Sequence, residues 1–89
     1  MKLDMPMAIN QSRQLADQAV SLRKIQSTLL LSQRGLNSNW SGIEMNMINQ
    51  AIDVYSGDIT RIAADLDSIS RDVLREAETA KKEEEAYEY

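Results

Sequence analysis

Gly35-Leu36-Asn37-Ser38-Asn39-Trp40-Ser41-Gly42 divides this chain of 89 residues near its middle. The segment gathers two of the three glycines with a cluster of Asn and Ser, residues that accept left-handed backbone or bond to neighbouring amides. A chain reversal over 37–41 is expected, with Asn37 to Asn39 turning the backbone. Ser41-Gly42-Ile43-Glu44 then reads as a capping box. In that motif the serine accepts from the Glu44 amide, the Glu44 carboxylate reaches back to the serine amide, and the same carboxylate sits well at the positive end of the helix dipole. A helix starting at 42 follows. Trp40 precedes the cap and is placed to staple onto Met45, one turn in.

Downstream of the break, Met45, Ile48, Ile52, Tyr55, Ile59, Ile62, Leu66, Ile69 and Val73 succeed one another at spacings of three and four. This is a packed seam of about four heptads, rich in β-branched residues. Ala80 continues the phase and Glu76 breaks it, so the helix is predicted over 42–80. Ala51, Ala63 and Ala77 flank the stripe and are small enough to admit a second helix closely. Asp67 four before Arg71, and Glu78 four before Lys82, favour ion pairs along the outer face. Gly57 reads as a tolerated glycine, with a hinge as the alternative. From Lys81 to Tyr89 only the two tyrosines remain of the hydrophobic positions, and a polar flexible tail is expected.

Upstream, Leu15, Leu22, Leu29 and Leu36 recur every seven residues with Ala19 between the first two. Ser12, Gln26 and Gln33 occupy the other seam positions, while Ile9, Ala16, Val20, Ile25 and Leu30 widen the stripe. The helix is predicted over 5–36, capped by Asp4 and with Pro6 in its first turn, where backbone amides have no intrahelical partner. Lys2 to Asp4 reads as a short extended arm.

Two helices joined by so short a connection are antiparallel neighbours, so the fold class is an all-α two-helix hairpin in a single domain. A lone hairpin covers one side of each helix only. Two hairpins dimerising into an elongated four-helix bundle would complete the core, each fully buried aliphatic side chain contributing about 1.5–3 kcal/mol. The predicted packing seam and dimer interface comprise Leu15, Leu22, Leu29, Ile48, Ile52, Tyr55, Ile59, Ile62, Leu66, Ile69 and Val73. The imperfect stripe of the first helix suits a homodimer and a heterodimer equally.

Composition narrows the chemistry. Histidine and cysteine are absent, which removes the commonest general base, the thiol nucleophile, the usual zinc ligands and any disulfide. Ser32, Ser38 and Ser41 have no base beside them. Asp65, Asp72 and Glu76 read as a solvated helix surface without an enclosing cavity. No enzyme, catalytic residue, cofactor or metal site is expected. Residues 1–42 carry five basic and two acidic side chains, and 43–89 five and twelve, so the halves attract one another modestly. No basic cluster with interleaved aromatics points to nucleic acid. The longest purely apolar run, Leu29 to Leu31, is far short of a transmembrane segment, and residues 1–9 do not read as a conventional signal peptide.

Trp40-Ser41-Gly42 between two amphipathic helices, near the centre of a short chain without cysteine, resembles the Trp-X-Gly (WXG) family of early-secreted-antigen-like proteins, substrates of type VII secretion systems. The resemblance covers residues 1–80. It implies a helical hairpin that pairs with itself or with a related small helical protein and is exported folded by a membrane ATPase. The chain would then be cytoplasmic before export and secreted without a conventional signal peptide after it. It also implies a role for Trp40 and Gly42 in recognition by the secretion machinery, beside the reading of Trp40 as a staple alone. The family's tail signal, a tyrosine followed four residues later by Asp or Glu, has no match: Tyr55 is followed at that spacing by Ile59, and Tyr87 and Tyr89 stand too near the end. That departure supports an alternative, a non-exported adaptor or chaperone that pairs with the helical domain of a larger type VII effector.

Overall fold

A computed structural model describes residues 4–87. Two helices account for nearly all of it, α1 over Met5–Asn39 and α2 over Ile43–Ala86, lying antiparallel in a rod of 73 × 16 × 13 Å. The all-α hairpin expected from the two apolar stripes is the fold observed. The proposed arm at residues 2–3 and the last two residues, Glu88 and Tyr89, lie outside the described part.

α1 begins as its sequence dictates. The Asp4 carboxylate accepts from the Met7 amide at 3.0 Å, and Pro6 stands in the first turn. Its end differs from expectation, because Asn37, Ser38 and Asn39 continue the helix instead of reversing the chain. Their side chains explain this. Ser38 Oγ donates to the Arg34 carbonyl at 2.9 Å and Asn39 Nδ2 to the Gly35 carbonyl at 2.9 Å, while Asn37 exchanges two bonds with Asn49 of α2. Bonded to the preceding turn or to the neighbouring helix, these residues have no need of a turn conformation.

Reversal is confined to 40–42. Trp40 leaves the helix in an extended conformation (φ −129°, ψ 151°) with its amide still donating to the Leu36 carbonyl at 2.8 Å. Gly42 then takes φ 101°, ψ −168°, a region open essentially to glycine alone, and its carbonyl accepts the first bond of α2 from Asn46 at 3.1 Å. The capping box is not formed: Gly42 is the N-cap residue and no side chain bonds the exposed amides. A glycine of positive φ does the work of starting α2, and Ser41 and Glu44 fall one position out of the frame a capping box needs.

At the far end α2 continues past Ala80 to Ala86. Lys, Glu and Ala are strong helix formers, and their propensity carries the helix beyond the last seam residue, where a flexible tail was expected. Gly57 is accommodated in an uninterrupted helix, as the tolerated reading has it.

The inter-helix seam follows one repeating register. Ser12 Oγ donates to the Ser70 carbonyl at 2.9 Å, and Ser70 Oγ to the Ser12 carbonyl at 2.7 Å. Gln26 Nε2 reaches the Ser56 carbonyl at 2.9 Å and its hydroxyl at 3.0 Å, and Gln33 Nε2 reaches Asn49 Oδ1 at 3.1 Å. The paired positions climb by sevens on α1 as they fall by sevens on α2, which sets Ala19 opposite Ala63, both wholly buried. Small and polar residues thus fill the closest approach of the helices, and every buried side-chain polar atom among the described residues has a partner. Asp67 receives Arg23 across the seam instead of pairing with Arg71, and the ion pairs along α2 run Asp58 to Arg61 and Asp72 to Arg75. The expected Glu78–Lys82 pair is not made.

Candidate interaction surface

On α2 three neighbouring columns of residues face inward or to one side. Asn49, Ser56, Ala63, Ser70 and Ala77 form the small and polar column that pairs with Ser12, Ala19, Gln26 and Gln33. Next to it runs Met45, Ile52, Ile59, Leu66 and Val73, and beyond that Ile48, Tyr55, Ile62 and Ile69, since residues three and four apart adjoin on a helix surface. The predicted seam combined the second and third columns, and the structure separates them. Met45 and Ile52 are buried and Ile59, Leu66 and Val73 half-buried, beside the half-buried Leu15, Leu22 and Leu29 of α1. Ile48, Tyr55, Ile62 and Ile69 are 41%, 62%, 47% and 48% exposed and do not belong to the seam within the chain. The small column displaces them because it permits the closer approach of the helices.

The hairpin therefore has two unlike long faces. One carries the bonded Gln and Asn side chains with Arg23–Asp67. The other is apolar along its length, built from the leucine column of α1 and two columns of α2. Three clefts open on it. A cleft of about 230 Å³ at the tip lies between Leu36, Trp40, Glu44, Met45 and Ile48. One of about 400 Å³ is lined by Ile25, Thr28 and Leu29 with Lys24 and Ser32, and one of about 620 Å³ at the open end is lined by Ala8, Ile69, Val73, Ala77 and Ala80 with Asp72 and Glu76 at its edge.

Trp40 borders the tip cleft together with Met45, the contact partner expected for it, yet the residue is 66% exposed. Gly42, two residues on, has open space where a Cβ would stand, so its backbone angle alone calls for glycine. The Ser41 and Glu44 side chains, given a capping role by the sequence, line the same cleft.

Sequence reasoning placed Ser12, Gln26 and Gln33 on the seam but missed their partners Ser70, Ser56 and Asn49. The signal was present: positions 49, 56, 63, 70 and 77 are all small or polar at intervals of seven, immediately beside an apolar column. Among the described residues no group of His, Cys, Asp or Glu has the arrangement of a metal site, and no helix is long and apolar enough to cross a membrane. Set against family models, curated proteins and solved structures, the chain matches none of them.

Proposed function

We propose that this chain is a small non-catalytic binding protein that works as half of a four-helix bundle and is exported, in the manner of the WXG proteins it resembles, by a type VII secretion system. The observation that carries the reading is the tip: Trp40 presents most of its indole to solvent, beside a cleft and two residues before a glycine that the turn cannot replace. A tryptophan kept for packing would be expected to bury more of itself, and an exposed ring on a rigid turn is suited to recognition. The apolar long face supports pairing with a second hairpin.

Export is tested in a host whose type VII ATPase is active, assaying cytosol and culture medium for the intact chain. Appearance in the medium that is lost on inactivating the ATPase supports the reading, and retention in the cytosol refutes it. The second reading is a cytosolic adaptor for the helical domain of a larger effector, favoured by the missing tyrosine-to-acid spacing and by the same apolar face. Recovery of a stoichiometric complex with such a domain, together with retention of the chain in the cytosol, selects it.

A further inference from the structure

The apolar columns beside the seam run out of large side chains at the open end of the hairpin. On α1 the column of Leu29, Leu22 and Leu15 ends in Ala8, and on α2 the column of Ile59, Leu66 and Val73 ends in Ala80, with Ala77 next to it on the seam. These three alanines line the cleft of about 620 Å³ together with Ile69 and Val73, and Asp72 and Glu76 stand at its edge. One heptad past Ala77, Glu84 keeps the seam register and is half-buried, alone among residues 81–87. The register that sets Ser12 opposite Ser70 sets Met5 opposite Ala77, so no residue from Asp4 onward stands opposite Glu84.

We infer that residues 1–3, which lie outside the described part, form an extended strap over this end of α2, with Leu3 seated in the cleft against Ala8, Ala77 and Ala80 and Lys2 paired with Glu84. The start of α1 directs the chain there. Asp4 is extended (φ −86°, ψ 91°), its carboxylate accepts from the Met7 amide, and its carbonyl accepts from the Ala8 amide at 3.1 Å. Leu3 is then the residue before the cap and Ala8 the fourth of the helix, the two positions that meet in a hydrophobic staple. Ala8 is also the α1 wall of the cleft, so a leucine that covers it fills the cleft. Extended backbone advances about 3.3 Å per residue against about 1.5 Å in a helix, so the two steps from Asp4 back to Lys2 match the rise of about four residues on α2. That brings the lysine, the one charged residue of the segment, within a side chain's reach of the half-buried Glu84. The strap holds the open end of the hairpin closed and occupies the last part of the apolar face, which a second chain can cover only by displacing Leu3. The inference is independent both of export and of pairing with another hairpin.

The sequence contains no cysteine, so an introduced pair reports proximity without interference. The full chain carrying Leu3→Cys with Ala80→Cys is oxidised beside a control carrying Leu3→Cys with Lys82→Cys, the second position lying at nearly the same height on the side of α2 away from the cleft. At about 1 µM chain the first pair should close within the chain about tenfold faster than the control, because docking raises the effective concentration of its thiols. Equal rates overturn the inference. A disulfide between chains from the first pair also overturns it and makes a second copy the occupant. Because Leu3→Cys removes the leucine itself, amide hydrogen exchange on chains that keep Leu3 supplies the second measurement. Lys2→Glu should lower protection over residues 77–84 about threefold, Lys2→Glu with Glu84→Lys should restore it, and amides near the tip should be unchanged in both. Protection unchanged by Lys2→Glu, or not restored in the double variant, overturns the inference.

Discussion

Replacing Gly42 by alanine isolates backbone conformation from packing. At φ 101°, ψ −168° a Cβ is strained, whereas nothing lies within 4 Å of where that atom would stand. Steric contact therefore contributes nothing, and the whole effect is the conformational cost, about 1–3 kcal/mol. For a domain of this size the midpoint of thermal unfolding should fall on the order of 5–20 °C. Gly57→Ala is the matched control. Gly57 also has open space around it but sits within a helix at ordinary angles, so alanine there should stabilise by about 0.5–1 kcal/mol and raise the midpoint. Both variants are read by circular dichroism at one fixed protein concentration, since association would itself shift the midpoint. Opposite signs are expected. A Gly42→Ala chain as stable as wild type, or a destabilised Gly57→Ala chain, would refute the account of how α2 starts and of the turn's need for glycine.

The serine pair lends itself to a double-mutant cycle: Ser70→Ala should cost about 0.5–1.5 kcal/mol in urea titrations by removing its bond to the Ser12 carbonyl, while Ser12 keeps its own bond to the carbonyl of residue 70, and the coupling in the cycle reports the contact between the two hydroxyls. Additive costs would show that the two hydroxyls do not act together. Trp40→Ala should change stability by less than about 1 kcal/mol because the residue is 66% exposed, while abolishing export in the secretion assay. A large loss of stability would make the ring a packing residue. Ser41→Ala should lie within about 0.5 kcal/mol of wild type and Asp4→Ala should cost about 0.5–2 kcal/mol, in line with the capping bond found only at the second site. Equal costs would mean that Ser41 caps after all.

The hairpin was legible because two sustained helical periodicities flank one break, and no alternative topology satisfies so short a connection. Asp4 and Pro6 were legible too, since a cap acts through its own neighbours. The exact turn was not. Asn37, Ser38 and Asn39 favour turns in isolation, and what holds them in the helix is bonding to Arg34, Gly35 and Asn49, the last of which only the fold brings near. Gly42 was visible but assigned to the inside of a capping box, because Ser41 and Glu44 fit that pattern equally well by spacing. The seam was half legible. Hydrophobicity selects the columns of Ile52 and Tyr55 as a pair, whereas close packing selects Ile52 and Ala63, and a single sequence weighs the first signal without seeing the second. The exposed column was thus read as part of the packed seam, and the structure leaves it outside the seam within the chain.

The ladder across the seam also sets an order of assembly. Its bonds join residues 12 apart at Asn37–Asn49, then 16 at Gln33–Asn49, 30 at Gln26–Ser56 and 58 at Ser12–Ser70. Once the rung nearest the tip has closed, each later rung need only extend a hairpin already held, so the entropy of loop closure is met in small steps and folding runs as a zipper. A nascent chain completes α1 and the turn before any residue of the second strand of rungs exists, and each new heptad of α2 finds its partner waiting. Opening proceeds in reverse, from the end where Ser12 meets Ser70, so hydrogen exchange should be fastest at the cleft beside Ala8 and Ala77 and slowest at the rungs nearer the tip.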